Sequence, residues 1–241
     1  MLRRYLPHLF LSVGILIHQS AVAAEGAGNA DVATGLGNFG LGLTLIAIAA
    51  ILLLLMTLRA SAAHVARLVT EKMGKRRIRK LLYARSPDVL EDFILPGAYG
   101  GLTHIDYAIL TSGGILCIQT KHFNGIVFGG ADEPQWTNVD GVHRRKFLNP
   151  LIQNEGRSKA LQNIVPNVPV ASLIVFTGRV QFTAPPEKNV IHVRRLESYI
   201  AKFVFGPCKI KDWDAVWLTV KSAALTDEET RKDFRAQLSF S

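Results

Sequence analysis

The polarity of the chain changes abruptly near position 58. Before it, apolar residues dominate: Leu9 to Ile17 form a short hydrophobic run, and "LGLTLIAIAAILLLLMTL", residues 41–58, holds eighteen residues without a charge. A run of that length with no polar face reads as a transmembrane helix, because a soluble core helix would keep one solvated stripe. The earlier run is too short to cross a hydrocarbon core, which takes about 20 residues. Arg3 and Arg4 precede it and the small residues "AVAA" follow at 21–24, so residues 1–24 read as a signal peptide, with an uncleaved first span as the alternative. The glycine-bearing stretch 25–40 between them is expected to be a flexible periplasmic segment.

Beyond 58 the hydrophobic runs shorten and alternate with polar residues, the signature of a folded domain. Residues 59–84 continue as a basic juxtamembrane helix, with an interruption expected near Gly74. "VLEDFIL" (89–95), "HIDYAIL" (104–110) and "ILCIQTK" (115–121) read as strands, and "TSGG" is a tight turn between the last two. Short strands are expected around Val127 and Trp136. "NPLIQNEGRSKALQNIV" opens a helix with Asn149 as cap and Pro150 in the first turn. "VPVASLIVFTG" and "NVIHV" follow as strands and "RLESYIAKF" as a helix, while "DAVWLTV" fits either. "TDEETRKDFRAQL" reads as a terminal helix, with Thr226 and Glu229 at capping-box spacing. The sum is a mixed α/β domain with helices on both sides of a sheet, at about 74–200, and an extension over 201–241.

The hairpin turn sets a register. With Ser112-Gly113 as the turn, Asp106 lies opposite Gln119 and His104 opposite Lys121. Cross-strand partners share a face, so these four side chains are expected to project together. The closed end of that face is apolar (Ala108, Leu110, Ile115, Cys117) and the open end is polar. A polar cluster at a strand edge is a candidate site, although a solvated hairpin end has the same pattern.

Charge narrows the partners. The chain has a net charge of +9, and all of it falls on residues 59–241, since Arg3 and Arg4 are offset by Glu25 and Asp31. Such a segment favours nucleic acid or anionic lipid headgroups. Eight basic residues against Glu71 within 59–80 place this side of the membrane span in the cytoplasm. The expectation is a single-pass protein of a bacterial-type inner membrane with a cytoplasmic C-terminal domain. Part of the cluster serves topology and lipid contact. Arg144, Arg145 and Lys146 form a second basic run that either tracks a nucleic-acid backbone or sits at a solvated hairpin tip. Cys117 and Cys208 lack metal-ligand spacing and read as reduced packing residues. Phe123 and Trp136 suit base stacking or, more simply, core packing.

Asp106, Gln119-Thr120-Lys121, Gly125, Trp136 and Asn149-Pro150 with Gln153 occur in an order that resembles the nuclease-related domain family, NERD, over roughly 74–200. The resemblance implies a restriction-endonuclease-like fold of the PD-(D/E)xK kind, a mixed sheet flanked by helices. It also implies a catalytic set of Asp106, Gln119 and Lys121 around a scissile phosphate, with Mg2+ or Mn2+ held by Asp106 and Gln119. Lys121 would meet the phosphate, Trp136, Asn149 and Gln153 would brace the site, and no small-molecule cofactor is called for; His104, by its place beside them, either contacts phosphate or is a surface histidine. Two departures fall on the chemistry. Gln119 stands where the family has Glu, and Lys75, after Gly74, stands where members carry Glu. Magnesium prefers hard, charged oxygens, so Asp106 is left as the single charged ligand unless Glu71, Glu91 or Asp92 substitutes. Three functions stay open: a membrane-anchored nuclease acting on DNA or RNA, a nucleic-acid-binding module without turnover, and a membrane scaffold for lipids or proteins.

Overall fold

The computed structural model describes residues 29–204 and 210–239, with side chains from 42 onward. The signal peptide expected at 1–24 and Cys208 lie outside the described residues. The chain divides into two compact units, residues 1–65 and 66–241. The described part of the first unit is helical, and the helix α1 spans Asn29–Tyr83. It starts within the stretch expected to be flexible. Helix propagation adds one hydrogen bond per residue fixed, so a nucleated helix extends through residues that would not start one. Its apolar run carries exposed Leu43, Leu45, Ile46 and Leu52 to Leu55, and the helix Gly42–Tyr83 is long and apolar enough to cross a membrane.

In the second unit, Gly74 does not interrupt α1; it lets the helix touch the domain. A Cβ built on Gly74 would lie 2.9 Å from Thr177 Cβ, closer than real side chains approach. Four residues earlier, Thr70 Oγ1 lies 3.2 Å from His122 Nε2, and the other nitrogen of that ring is 2.9 Å from Thr177 Oγ1. The last turns of α1 bury Ile78 and Leu82.

The strands β1 (Val89–Pro96), β2 (Leu102–Thr111), β3 (Gly114–His122), β7 (Val170–Thr177) and β9 (Val190–His192) form a five-stranded mixed sheet in the order β1-β2-β3-β7-β9. β1, β2 and β3 pair antiparallel, while β3, β7 and β9 run parallel. A second, four-stranded sheet holds β4 (Gly125–Phe128), β5 (Gln135–Asp140), β6 (His143–Leu148) and β8 (Val180–Phe182), in the order β6-β5-β4-β8. The basic run Arg144-Arg145-Lys146 therefore lies along a strand rather than at a hairpin tip.

Helices cover both faces of the main sheet. On one face, Ile78 and Leu82 of α1 join Leu196 and Ile200 of α3 (Leu196–Val204) over Tyr107, Ile109, Leu116 and Ile118. On the other, Leu161 of α2 (Pro150–Ile164) and Trp217 and Val220 of α4 (Trp213–Ala223) pack on Phe93, Ile105, Ala108, Ile115 and Cys117. The stretch that fitted strand or helix is thus helical: Asp212 caps α4 through Ala215 N, and Trp217 and Val220 share its buried side. The terminal helix α5 (Glu228–Ser239) starts one residue later than the capping box implied. Asp227 accepts from Thr230 N and Oγ1, both at 2.8 Å, and so takes the role expected of Thr226.

Candidate functional site

The turn at Ser112-Gly113 sets the expected register, with Thr111 opposite Gly114 and pairing continuing to Tyr107 opposite Ile118. There the ladder stops. Asp106 is also skipped on its other side: β1 pairs Glu91 with Tyr107 and Phe93 with Ile105, and Asp92 between them has φ 54°, a left-handed conformation that Asp tolerates. The strand faces exchange across this break. Tyr107 and Ile109 belong to the α1 side of the sheet, but Ile105, also odd-numbered, packs on the α2 side. Two-residue alternation does not carry through such a break, so the expected constellation of four divides in two.

On the α1 side, Asp106 fills the gap left by the missing ladder bonds. Its Oδ2 accepts from Thr120 N and Thr120 Oγ1, both at 2.7 Å, and His104 Nδ1 lies 3.3 Å from Oδ1. Burial opposes ionisation of Asp106, but the His104 hydrogen bond, the Arg157 charge and the Thr120 donors outweigh it and hold the carboxyl at about 2. The Asp106 hydrogen bond in turn raises His104 above its usual value, against burial, with Asp92 adding to the effect. His104 Nε2 reaches Asp92 at 2.8 Å, and the ring stacks on Phe234 of α5 at 5.9 Å. A cavity of about 510 Å³ opens here, lined among others by Lys75, Arg79, Asp92, Asp106 and Arg231.

On the α2 side, Gln119 is 1% exposed and Lys121 is half-buried. Lys121 Nζ donates to Gln153 Oε1 at 2.7 Å. The Gln119 and Gln153 amides touch. Turned so that its oxygen faces the neighbouring cations, Gln119 accepts from Lys121 Nζ at 3.1 Å and from the Arg157 guanidinium, while its nitrogen donates to the Pro150 carbonyl at 3.1 Å. Burial lowers Lys121 to about 8; Arg157 and Arg145 push the same way and Asp106 opposes them. Arg145 of β6 is thus within electrostatic reach of Lys121, whereas Arg144 lies over the Phe128 ring at 5.6 Å. Arg144, Arg145 and Lys146 are all exposed.

The bracing residues are built into the fold. Asn149 is fully buried and caps α2 by accepting from Leu151 N at 2.9 Å. Its amide donates to the carbonyls of Gly130, Ala131 and Glu133 at 3.2, 2.9 and 2.7 Å. Trp136, 2% exposed, stacks on Phe176 and donates to Gly130 O at 2.8 Å, and Phe123 is buried beside them, so these rings pack rather than present a face to bases. Gly125, at φ 79°, faces the Val139 carbonyl, and a side chain there would collide with it. Cys117 is a buried free thiol pushed up to about 12 by burial. Sequence reasoning missed Arg157, Asn154, Arg231 and Phe234. Arg157 follows Gln153 by four residues on α2, a spacing that puts both on one helix face and was the available signal. Asn154, fully buried, ties α2 to the sheet through Cys117 O and Ser172 Oγ at 3.1 and 2.8 Å.

Residues 69–177 match the nuclease-related domain, NERD. The restriction-endonuclease-like fold is the general kind associated with it, and the splayed strands with Asp106, Gln119 and Lys121 fall inside the matched residues. The chain is also 25% identical over 169 residues to an uncharacterized protein of Bacillus anthracis, covering 67% of this chain and 78% of that one. No solved structure matches.

The donors within the matched residues do not suit the divalent ion that the family resemblance implies. Asp106 is ionised, but its oxygens are engaged by Thr120 and His104. The Gln119 oxygen is neutral and faces two cations. The carboxylates that might have compensated are each held by a cation: Glu71 by Lys75 at 3.6 Å, Glu91 by Arg79 at 2.9 Å and Asp92 by Arg231 at 3.0 Å. Among the described residues no group of three or more His, Cys, Asp or Glu is placed to hold a metal.

Proposed function

We propose that this chain is a membrane-anchored nuclease-related protein that engages nucleic-acid phosphodiesters at the cytoplasmic face of the membrane. The observation that carries the reading is the gathering of Lys121, Arg157 and Arg145 around the end of β3, in a domain of the nuclease-related kind. Phosphate oxygens are the natural complement of such a group, and contacts to them carry no base information. Lys121 meets the phosphate while Gln153 and Gln119 hold its ammonium in place. Arg145 of β6 extends the positive charge beyond one phosphate, while Arg144 and Lys146 point to the other face of that strand. The apolar helix supplies the anchor, and the eight-to-one basic flank that follows it supports a cytoplasmic domain.

The test uses the full chain in nanodiscs of zwitterionic lipid, with labelled single-stranded DNA, duplex DNA and RNA. Binding should weaken by orders of magnitude between about 50 and 200 mM salt, and Lys121→Gln should lower the slope of log affinity against log salt by about 1. Salt-independent association, or none, would leave a protein or lipid scaffold as the better description. Orientation is tested separately: alkaline phosphatase fused to the C-terminus should be inactive, and periplasmic activity would reverse the placement.

Phosphodiester hydrolysis, the activity that the family resemblance implies, is the second reading. Cleavage of the same nucleic acids that disappears with chelator and with Asp106→Asn would establish it.

A further inference from the structure

The charge balance differs across the break in the sheet. On the α1 side the cations lie among carboxylates: Lys75 with Glu71, Arg79 with Glu91, Arg231 with Asp92, and His104 with both Asp92 and Asp106. On the α2 side, no carboxylate lies within ion-pairing distance of Lys121 or Arg157 among the described residues. They converge on one amide oxygen, that of Gln119. Arg157 is placed there by α2, whose capped N-terminus and buried Asn154 fix its position against β3. Its charge reaches Asp106 and Lys121 alike. The guanidinium thus touches the Gln119 amide while its charge acts on Asp106.

We infer that Arg157, together with Lys121, supplies the positive charge that a divalent ion would otherwise bring to this site, so that the NERD domain grips a phosphodiester without metal. This rests on the reading that the site meets nucleic acid. The chemistry of Gln119 and Arg157 fits together. A glutamate at 119 beside Arg157 and Lys121 would cancel one of the two positive charges that could meet a phosphate. A glutamine leaves both cations without an ion-paired carboxylate, with Asp106 acting on them only at longer range, and offers its oxygen to orient them. Guanidinium is always protonated and presents its donors in a planar fork that matches two phosphate oxygens. Unlike a metal ion, it is not released by a chelator and needs no carboxylate ligands. Gln119 is thus a positioning residue for the two cations rather than a ligand.

The experiment measures nucleic-acid binding by fluorescence anisotropy on the full chain in zwitterionic nanodiscs, with either EDTA or Mg2+. Binding in EDTA should be at least as tight as in Mg2+. Arg157→Gln should weaken it by about tenfold or more, the scale of one lost charge-assisted contact. Lys232→Gln, which removes an exposed charge on α5, controls for net charge and should change affinity less than about twofold. Arg157→Lys, which keeps a charge, should recover much of the loss; equal loss in the Lys and Gln variants would assign Arg157 a purely structural role and overturn the inference. Calorimetry gives a readout independent of nucleic acid: wild type should bind no Mn2+, and the double variant Gln119→Glu, Arg157→Gln should gain binding. If nucleic acid binds only with Mg2+ or Mn2+ and Arg157→Gln leaves it unchanged, the inference falls while the proposed function stands. If none of the nucleic acids binds under either condition, both fall.

Discussion

The two sides of the broken sheet make opposite use of charge. Around the cavity on the α1 side, Arg79, Arg231 and His104 are spent on Glu91, Asp92 and Asp106, and these pairs tie α1, α5, β1 and β2 together. Arg231 also donates to the Asp92 carbonyl at 2.7 Å, and Gln237 exchanges hydrogen bonds with the Leu102 backbone at 2.8 and 2.9 Å. On the α2 side, Lys121 and Arg157 are held by amides; no described carboxylate lies within ion-pairing distance, and Asp106 acts on them only through its field. Neutralised charge at a half-buried position is structure. Uncompensated charge in the same setting is costly to the empty fold and becomes favourable when an anion arrives.

Reversing charge on the uncompensated side should have the largest effect. Lys121→Glu should weaken nucleic-acid binding by about a hundredfold, or about 2.7 kcal/mol, with the fold intact by circular dichroism, since the side chain is not ion-paired. If affinity changes no more than for Lys232→Gln, the two sides do not differ in role.

On the neutralised side the loss should appear in stability instead. Arg231→Ala removes the Asp92 ion pair and a backbone bond. It should cost about 1–2 kcal/mol after allowance for partial exposure, read as a lower denaturant midpoint. Nucleic-acid affinity should stay within a few-fold of wild type. A large affinity loss with unchanged stability would move Arg231 into the binding surface.

A pH titration separates the sides with smaller signals. Lys121, lowered to about 8, stays protonated below that value, so affinity should be steady up to near pH 7 and fall by up to about tenfold by pH 9. Lys121→Arg should flatten the profile. The stability effect has the opposite sign: between about 8 and the ordinary lysine value the unfolded chain holds more protons, so the folded state gains as pH rises through that window. Asp106 behaves conversely. Its contribution is present above the ordinary aspartate range and is lost as pH falls toward 2.

Gly74→Ala should give the smallest change. The better helix propensity of Ala, up to about 1 kcal/mol, is set against a Cβ only 2.9 Å from Thr177. Net destabilisation below about 1 kcal/mol is expected, read as a small drop in denaturant midpoint. Stabilisation by the single change would show that α1 does not approach β7 this closely.

The apolar run at 41–58, the hairpin register and the Asn149 cap were legible in the sequence because each depends on neighbours a few residues apart: an unbroken hydrophobic stretch, a two-residue turn, a side chain reaching the next turn of backbone. The order of Asp106, Gln119, Lys121 and Gln153 was legible for the same reason, since motif spacing is a property of the chain alone. Only the tertiary structure decided that Asp106 and Gln119 part company. That outcome depends on a pairing break at Asp92 and Asp106, and local alternation holds no trace of it. It also decided which carboxylates are already occupied, because Arg231 and Asp92 are 139 residues apart, and it brought Arg157 to Gln119 by packing one turn of α2 against β3. A charge count is written in the sequence, but which charges cancel is set by distance, and distance between remote residues exists only once the chain has folded.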